Sequence, residues 1–328
     1  MKKVLLLLLS LTLVLSLAAC GNKDVAGGPV DTENYPTKPV EIIVAYKAGG
    51  GTDVGARVLA SEAEKNFGKP LVIINRDGSD GELGYTELAK AKADGYTIGF
   101  INLPTFVSLT LERKTQYQID DVVPILNHVY DAGVLVVQSS SELNTLESFV
   151  DYAKANPGDL NIANNGAGAS NHIGAAHFEH EANIDVTHVP FGGSTDMLAA
   201  LRGGHVDASV AKISEVAGLV NSGELKILAS FTDERLENFQ DIPTLKEKGY
   251  DILFGSARAL VAPKGTPQEI IDYLHDKFKE AMESPEHLEK AKNSDLPIKY
   301  MSPEELGQYI KDEEVYLKEI SNIIDLTN

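Results

Sequence analysis

The segment Glu41–Arg57, EIIVAYKAGGGTDVGAR, places an anion-binding device near the start of the chain. The apolar run Ile42–Tyr46 reads as a buried strand that breaks at Ala48-Gly49-Gly50-Gly51. Thr52 and Asp53 are then expected to cap a helix whose apolar residues include Val54, Val58 and Leu59. Consecutive glycines let backbone approach a ligand closely, and the unpaired N–H groups of a helix start point at whatever sits there. The positive end of the helix dipole adds to them, so the site favours a negative group. Nucleotides fit poorly. A P-loop ends in Gly-Lys-Ser/Thr, whereas Thr52-Asp53 follow the last glycine here. A dinucleotide fingerprint starting at Gly49 needs a glycine where Val54 stands. Asp53 would also repel a pyrophosphate. A small carboxylate held by backbone amides is the expected ligand.

The same grammar returns twice. The run Asn161-Ile162-Ala163 leads into a turn with Asn165, Gly166, Gly168, Ala169 and Ser170, then a helix carrying His172 and His177. The run Thr187–Pro190 leads into Phe191-Gly192-Gly193-Ser194-Thr195-Asp196, which opens a helix through Leu198 and Leu201. Ligands of open α/β sheets bind beyond the carboxyl ends of strands, where such turns gather. The turns are expected to line one cleft in which opposed helix N-termini clamp an anion. Tyr46 and Asn102, at the ends of the runs Ile42–Tyr46 and Tyr96–Asn102, join the candidate contacts. Arg258, near where a strand would return to the first lobe, is expected either to pair with a distal carboxylate of the ligand or to form a surface or interlobe salt bridge. Lys47, beside the glycine turn, is a weaker candidate.

Alternating apolar runs and amphipathic segments must position these residues. Strands are expected at Leu71–Asn75, Tyr96–Asn102, Val134–Gln138, Asp159–Ala163, Val186–Val189, Asp207–Ala211 and Leu225–Ala229. Helices are expected at Thr86–Ala93, Thr145–Ala155, Ala169–Glu181, Pro267–Glu283 and Pro303–Ile323. The alternation implies parallel sheets with crossover helices, an α/β class.

The N-terminus reads as a leader. Lys2-Lys3, the apolar run Val4–Leu17 and Leu17-Ala18-Ala19-Cys20 match a bacterial lipoprotein cleavage box. Acylation of Cys20 would tether the mature chain to a lipid bilayer without a membrane span. Gly21–Asn34 is polar and aperiodic, and reads as a tether. Cys20 is the only cysteine in the 328 residues, which excludes cysteine catalysis, thiolate metal sites and internal disulfides. The formal charge is −19, so nucleic acid is not an expected partner. His177 and His180 lie three apart, with Glu181 nearby and His172 and His188 flanking. Their acidic neighbours and an outward helix face favour solvated histidines over a zinc site. No Gly-x-Ser-x-Gly elbow occurs, so no catalytic residue, cofactor or metal is expected.

At these residues the chain resembles the substrate-binding receptors of tripartite tricarboxylate transporters, the Bug receptors. The resemblance rests on Tyr35–Val40, Ala48–Asp53, Asn75-Arg76 with Gly78, Asp94–Ile98, Asn156-Pro157-Gly158, Gly166–His172, His188–Phe191, Asp241–Leu245 and Ala262–Pro267, in order. It implies a type II periplasmic-binding fold, with two α/β lobes around a ligand cleft. It implies capture of a di- or tricarboxylate and delivery to a two-subunit membrane permease. Gly49–Asp53 and Asn165–Ser170 would then hold one carboxylate, with Phe191–Thr195 lining the same cleft. Residues 35–135 with 253–328 would form the first lobe and residues 136–252 the second, after a leader 1–20 and a tether 21–34. The receptor is expected to be a monomer outside the cytoplasm. An enzyme acting on a carboxylate in the same cleft, or a sensor built on the same fold, are the alternatives. The chain departs from the family pattern at Ala45, often Pro; at Ala169, often Ser or Thr; and at Gly192, often Lys.

Overall fold

The computed structural model describes residues 34–166 and 168–324, so the leader, Cys20 and the tether through residue 33 lie outside the described residues, as does Ala167. The ordered elements run β1 (Val40–Val44), α1 (Gly51–Phe67), β2 (Leu71–Asn75), α2 (Glu82–Ala89), β3 (Thr97–Leu103), α3 (Thr105–Glu112) and β4 (Val122–Gln138). They continue with α4 (Leu146–Ala155), β5 (Asn161–Asn164), α5 (Ser170–Ala182), β6 (Thr187–Pro190), α6 (Ser194–Arg202), β7 (Ala208–Lys212), α7 (Ile213–Asn221) and β8 (Leu225–Ser230). The chain closes with β9 (Gly255–Pro263), α8 (Gln268–Met282), α9 (Pro285–Asn293), β10 (Ile298–Met301) and α10 (Pro303–Ile320).

Ten strands form one continuous sheet of order β2-β1-β3-β9-β4-β7-β5-β6, with β8 and β10 also paired to β4. The expected α/β class is present, but the sheet is mixed. β2-β1-β3 and β7-β5-β6 are parallel at either end, while β9 and β4 run antiparallel in the middle. The polar and glycine residues between Val122 and Val134 hide how long β4 is, and only its last five residues read as a strand. In fact β4 has 17 residues. Its first part, Val122–Ala132, pairs with β9, and its last part, Gly133–Gln138, pairs with β7 and β8. One strand therefore belongs to both halves of the molecule. The chain crosses again at Phe231 and Phe254. There the Phe254 N–H donates to Phe231 O, Phe231 N–H to Gly133 O, and Gly133 N–H to Phe254 O, each at 2.9 Å.

Each half-sheet is covered on both faces, as parallel strands require. In the first half, Val40, Ile42, Leu59 and Phe278 pack on one face; Ile43, Tyr85, Phe106 and Leu306 pack on the other. In the second, Phe149, Ile162, Phe178 and Phe231 oppose Val136, Met197, Leu201 and Val216. The helices α3, α7 and α9 were not expected. Each is short, and in α3 the apolar residues Phe106, Val107 and Leu109 are interleaved with Thr105, Ser108 and Thr110 while packing in one cluster with Ile173 and Ala176 of α5. His177 also departs from expectation. It is buried, with Nδ1 2.8 Å from the Tyr316 hydroxyl of α10, rather than solvated.

Under β4 lies a buried histidine pair. The Nε2 atoms of His128 and His287 are 2.8 Å apart, so one ring donates while the other accepts. Burial lowers the pKa of both; His287 and Arg258 further oppose a charge on His128, while the Met282 backbone and Glu62 offset part of the fall at His287. An unfolded histidine titrates near 6.5, so the unfolded chain takes up protons there that the folded chain refuses. Stability is thus complete above about pH 6.5 and falls as pH drops below it, by up to about 1.4 kcal/mol per pH unit for each histidine held neutral. Urea unfolding at pH 7.5, 6 and 5 should show this decline. A flat profile would mean that the folded pair accepts protons freely.

Candidate functional site

A cavity of about 580 Å³ lies where the loops beyond β1, β5 and β6 meet. Three helix starts face it. The α1 start contributes Gly50, Gly51 and Thr52; the α5 start, Ala169, Ser170 and Asn171; the α6 start, Gly193, Ser194 and Thr195. None of the three has a side-chain cap. The cap positions are Gly50, Ala169 and Gly193, and the first intrahelical bonds run from Val54, Ile173 and Met197 back to them at 3.0, 3.0 and 3.2 Å. The amides between are the donors that a helix start leaves over. By contrast α4, α9 and α10 begin with Thr145, Ser284 and Ser302, whose hydroxyls accept from the backbone.

Thr52 and Asp53 therefore sit inside the first turn instead of capping it. Asp53 is buried and turned away from the cavity. Its carboxylate accepts from Gly49 N–H at 2.8 Å, Arg57 Nε at 2.9 Å and Asn75 Nδ2 at 3.0 Å. Burial works against its ionised form, but these donors outweigh it and hold the carboxyl below the usual carboxylate range. Its charge locks the glycine turn rather than opposing an anion.

The floor of the cavity is charged. Arg258 of β9 is 3% exposed and donates through Nη2 to Asp131 of β4 at 2.6 Å. Asp131 also accepts from the N–H of Ser214 at 3.1 Å and from its hydroxyl, at the start of α7. Arg258 Nε and Nη1 are buried and have no hydrogen-bond partner among the described residues. The guanidinium lies against the Cα of Gly51, where an added Cβ would stand 2.6 Å from Nη2 and 2.9 Å from Cζ. Gly51 is thus glycine because an arginine occupies the space of its side chain. Beside this pair Lys212, 4% exposed, donates from Nζ to Ser170 Oγ at 3.0 Å and sits 4.0 Å over the Phe254 ring. Burial pushes the Lys212 ammonium down to about 8; Arg258 adds to the fall, while Glu215 and Asp131 oppose it.

Of the residues singled out in the sequence, Tyr46, Gly50, Gly51, Thr52, Asn102, Asn165, Ala169, Ser170, Gly192, Thr195 and Arg258 share the cavity wall, with Lys47 at its rim. Asn102 is tied to Thr52 by a 2.8 Å bond from Nδ2 to Oγ1. Gly49, Asp53, Gly166, Gly168, His172 and Phe191 are not in the wall. They shape the turns from behind. Gly166 N–H donates to Asn164 Oδ1 at 2.9 Å, and His172 Nδ1 accepts from Gly168 N–H at 3.1 Å. Gly168 has φ +66° and lies against the Glu112 carboxylate, leaving no room for a side chain. Phe191 packs into the apolar face of the second half.

Sequence reasoning missed Lys212, Asp131, Thr105 and Asp80. Lys212 is the one charged residue in the strand ASVAK, a local oddity that could have marked it. Asp80 belongs to a loop in which Ser79 and Asp80 both have positive φ, 48° and 60°. Arg113 holds that loop by bonds to Ser79 O at 2.8 Å and Glu82 at 2.9 Å. Among the described residues no group of His, Cys, Asp and Glu could hold a metal, and no helix is long and apolar enough to cross a membrane.

Comparisons with known proteins agree with this architecture. The family model described as the tripartite tricarboxylate transporter family receptor matches residues 55–326. Protein BugT of Bordetella pertussis is 33% identical over 291 residues, covering 87% of this chain and 89% of that protein. Two solved structures, each 26% identical, superpose closely. Rpa4515 of R. palustris with adipate gives a TM-score of 0.83 over 88% of this chain and 98% of that one. MatC of Rhodopseudomonas palustris with bound malate gives 0.80 over 87% and 99%. Sequence, sheet order and cavity converge, and the chain belongs to the tripartite tricarboxylate transporter receptor family of solute-binding proteins.

Proposed function

We propose that the chain is an extracytoplasmic receptor that captures a small carboxylate in the cavity between its halves. Acylated Cys20 holds it at a membrane, and it delivers the ligand to a two-subunit permease. The lobes are residues 35–135 with 253–328, and residues 136–252. One observation carries the reading: three uncapped helix starts and the free Nε and Nη1 of buried Arg258 bound a single cavity. Backbone amides and a guanidinium are the donors a carboxylate accepts best, and anions are stabilised at helix N-termini. Two relatives of the same fold carry adipate and malate, both dicarboxylates. One carboxylate is held by the amides of Gly51 and Thr52 with that of Ser170. Arg258 closes the floor beneath it.

Three outcomes are expected. In a thermal-shift screen of mono-, di- and tricarboxylates, sugars, nucleotides and cations, carboxylates alone raise the melting point. A ligand at about a hundred times its Kd adds about 2.7 kcal/mol. Stabilisation only by sugars, nucleotides or cations would sink the proposal. The substitution Arg258→Lys keeps a cation for Asp131 but removes the planar fork. Calorimetry should then read a carboxylate Kd weaker by roughly tenfold or more; unchanged affinity would take Arg258 out of the ligand's reach. Gly51→Val drives a side chain into the guanidinium, so ligand binding and stability should fall together. A variant that binds as tightly as wild type would show that the first glycine turn does not hold the anion.

A further inference from the structure

Three side chains of the first half close on the glycine turn that opens α5. Ser108 of α3 donates from Oγ to Gly168 O at 2.9 Å. Asp80 lies over Gly166, where an added Cβ would stand 3.3 Å from Oδ1, and the Glu112 carboxylate occupies the place that a Gly168 side chain would take. Glu112 itself is not in the cavity wall. Its Oε1 is buried with no hydrogen-bond partner among the described residues. Burial penalises a carboxyl group far more when it is ionised than when it is neutral. The Ser108 hydroxyl, which also faces this carboxyl, has a single hydrogen, and its two carbonyl neighbours, Gly168 O and Thr105 O at 3.2 Å, can only accept. An ionised Glu112 competes with Gly168 O for that hydrogen. A protonated Glu112 brings its own hydrogen to Ser108 Oγ and leaves the bond across to Gly168 in place. The charged and titratable groups around it are Arg113 at the end of α3, Asp80 of the turn before α2, the Tyr117 hydroxyl and, behind Gly168, His172 of α5. From α10 the residues clustered with α3 are the apolar Leu306, Ile310 and Leu317. Burial carries the carboxyl from the ordinary 4.5 up to about 7; Arg113 and Ser108 oppose the rise, and Asp80 adds to it.

We propose that Glu112 is a proton-operated latch between the halves, closing on the turn through Gly166 and Gly168 in its protonated form, so that capture of a ligand draws a proton into the molecule. The inference rests on the carboxylate reading above and on the hinge closure by which two-lobed binding proteins enclose a ligand. It concerns when the site closes rather than what it takes. With the halves apart the carboxyl faces water and keeps its ordinary proton affinity. Closure buries it, so the closed form holds a proton that the open form has given up. Above about pH 7 both forms are ionised, and closure carries the full cost of burying the charge. As pH falls from about 7 toward 4.5 the closed form gains its proton first, and ligand affinity rises.

The test is titration calorimetry of adipate and malate into the purified full chain and into Glu112→Gln, whose amide has the same shape and stays neutral. Wild type should bind roughly tenfold more tightly at pH 5.5 than at pH 7.5. In Glu112→Gln that slope should largely vanish, with affinity at pH 7.5 close to that of wild type at pH 5.5. Any slope contributed by Lys212 or the histidines is common to both proteins and drops out of the comparison. A second measurement needs no variant. Repeating the wild-type titration at pH 6 in buffers of different ionisation enthalpy counts the protons exchanged, and most of one proton should be taken up per ligand bound. No uptake there would overturn the latch, even if the glutamine variant does not fold. The same slope in both proteins would assign the proton to another group and overturn it too. An equal loss of affinity in Glu112→Gln at both pH values would make Glu112 only a packing element of the α3–α5 contact, again overturning it. Each of these results leaves carboxylate capture intact, whereas failure of every carboxylate to bind wild type would strike the functional reading and the latch with it.

Discussion

The arrangement of the cavity depends on one buried ion pair, Arg258 with Asp131. A guanidinium can be taken out of water only if its donors find acceptors, and Asp131 supplies one side of the fork. The rest follows from that requirement. Asp131 must be held, so the first turn of α7 gives it the Ser214 amide and hydroxyl. The flat face of the guanidinium must be covered, so the chain at position 51 has no side chain. Its Nε and Nη1 have no partner among the described residues, so the pair is electrostatically unfinished. Such a pair is weak evidence for stability, since apolar residues of similar volume often hold a core as well. It reads more naturally as an element kept for recognition.

The second theme is where the protein leaves helix starts without caps. Serine and threonine caps satisfy α4, α9 and α10. Around the cavity the same job falls to no side chain, and Asp53, the carboxylate in the first turn of α1, faces the opposite way. An acidic residue in a first turn usually complements the dipole from outside. Here it ties Gly49, Arg57 and Asn75 together, which fixes the glycine turn while leaving its amides pointing inward. Asp53 is thereby kept out of the cavity wall, whose acidic residues are Asp77, Asp80, Asp196 and Glu215.

Much of this was legible in the sequence because it is local. The three glycine turns, the strands that feed them and the capped helix after Thr145 each announce themselves within a dozen residues. Long-range features were not. Lys212, Asp131 and Arg258 meet only because β4 runs between β9 and β7, and nothing in the strand ASVAK says that its lysine will end beside Ser170. The central antiparallel strands were misread for the same reason: polar residues such as Asn127, His128 and Asp131 break the apolar run of β4, yet each has a partner far along the chain. Asp53 and His172 carried the right local signal and the wrong direction. A residue type and a turn can predict a donor or an acceptor, but which way it faces is decided by neighbours far along the chain.

The shared strand β4 has a mechanical meaning. A strand cannot slip by one residue against its partners without sending every side chain to the opposite face, so sliding of the halves is blocked by both cores at once. What a strand does yield to is torsion, since its natural twist varies widely at little expense. Any movement of one half against the other is therefore a rotation about an axle on which Asp131 itself is mounted. Arg258, on β9, joins that axle through its ion pair with Asp131, so the floor of the cavity and the hinge between the halves share one carboxylate.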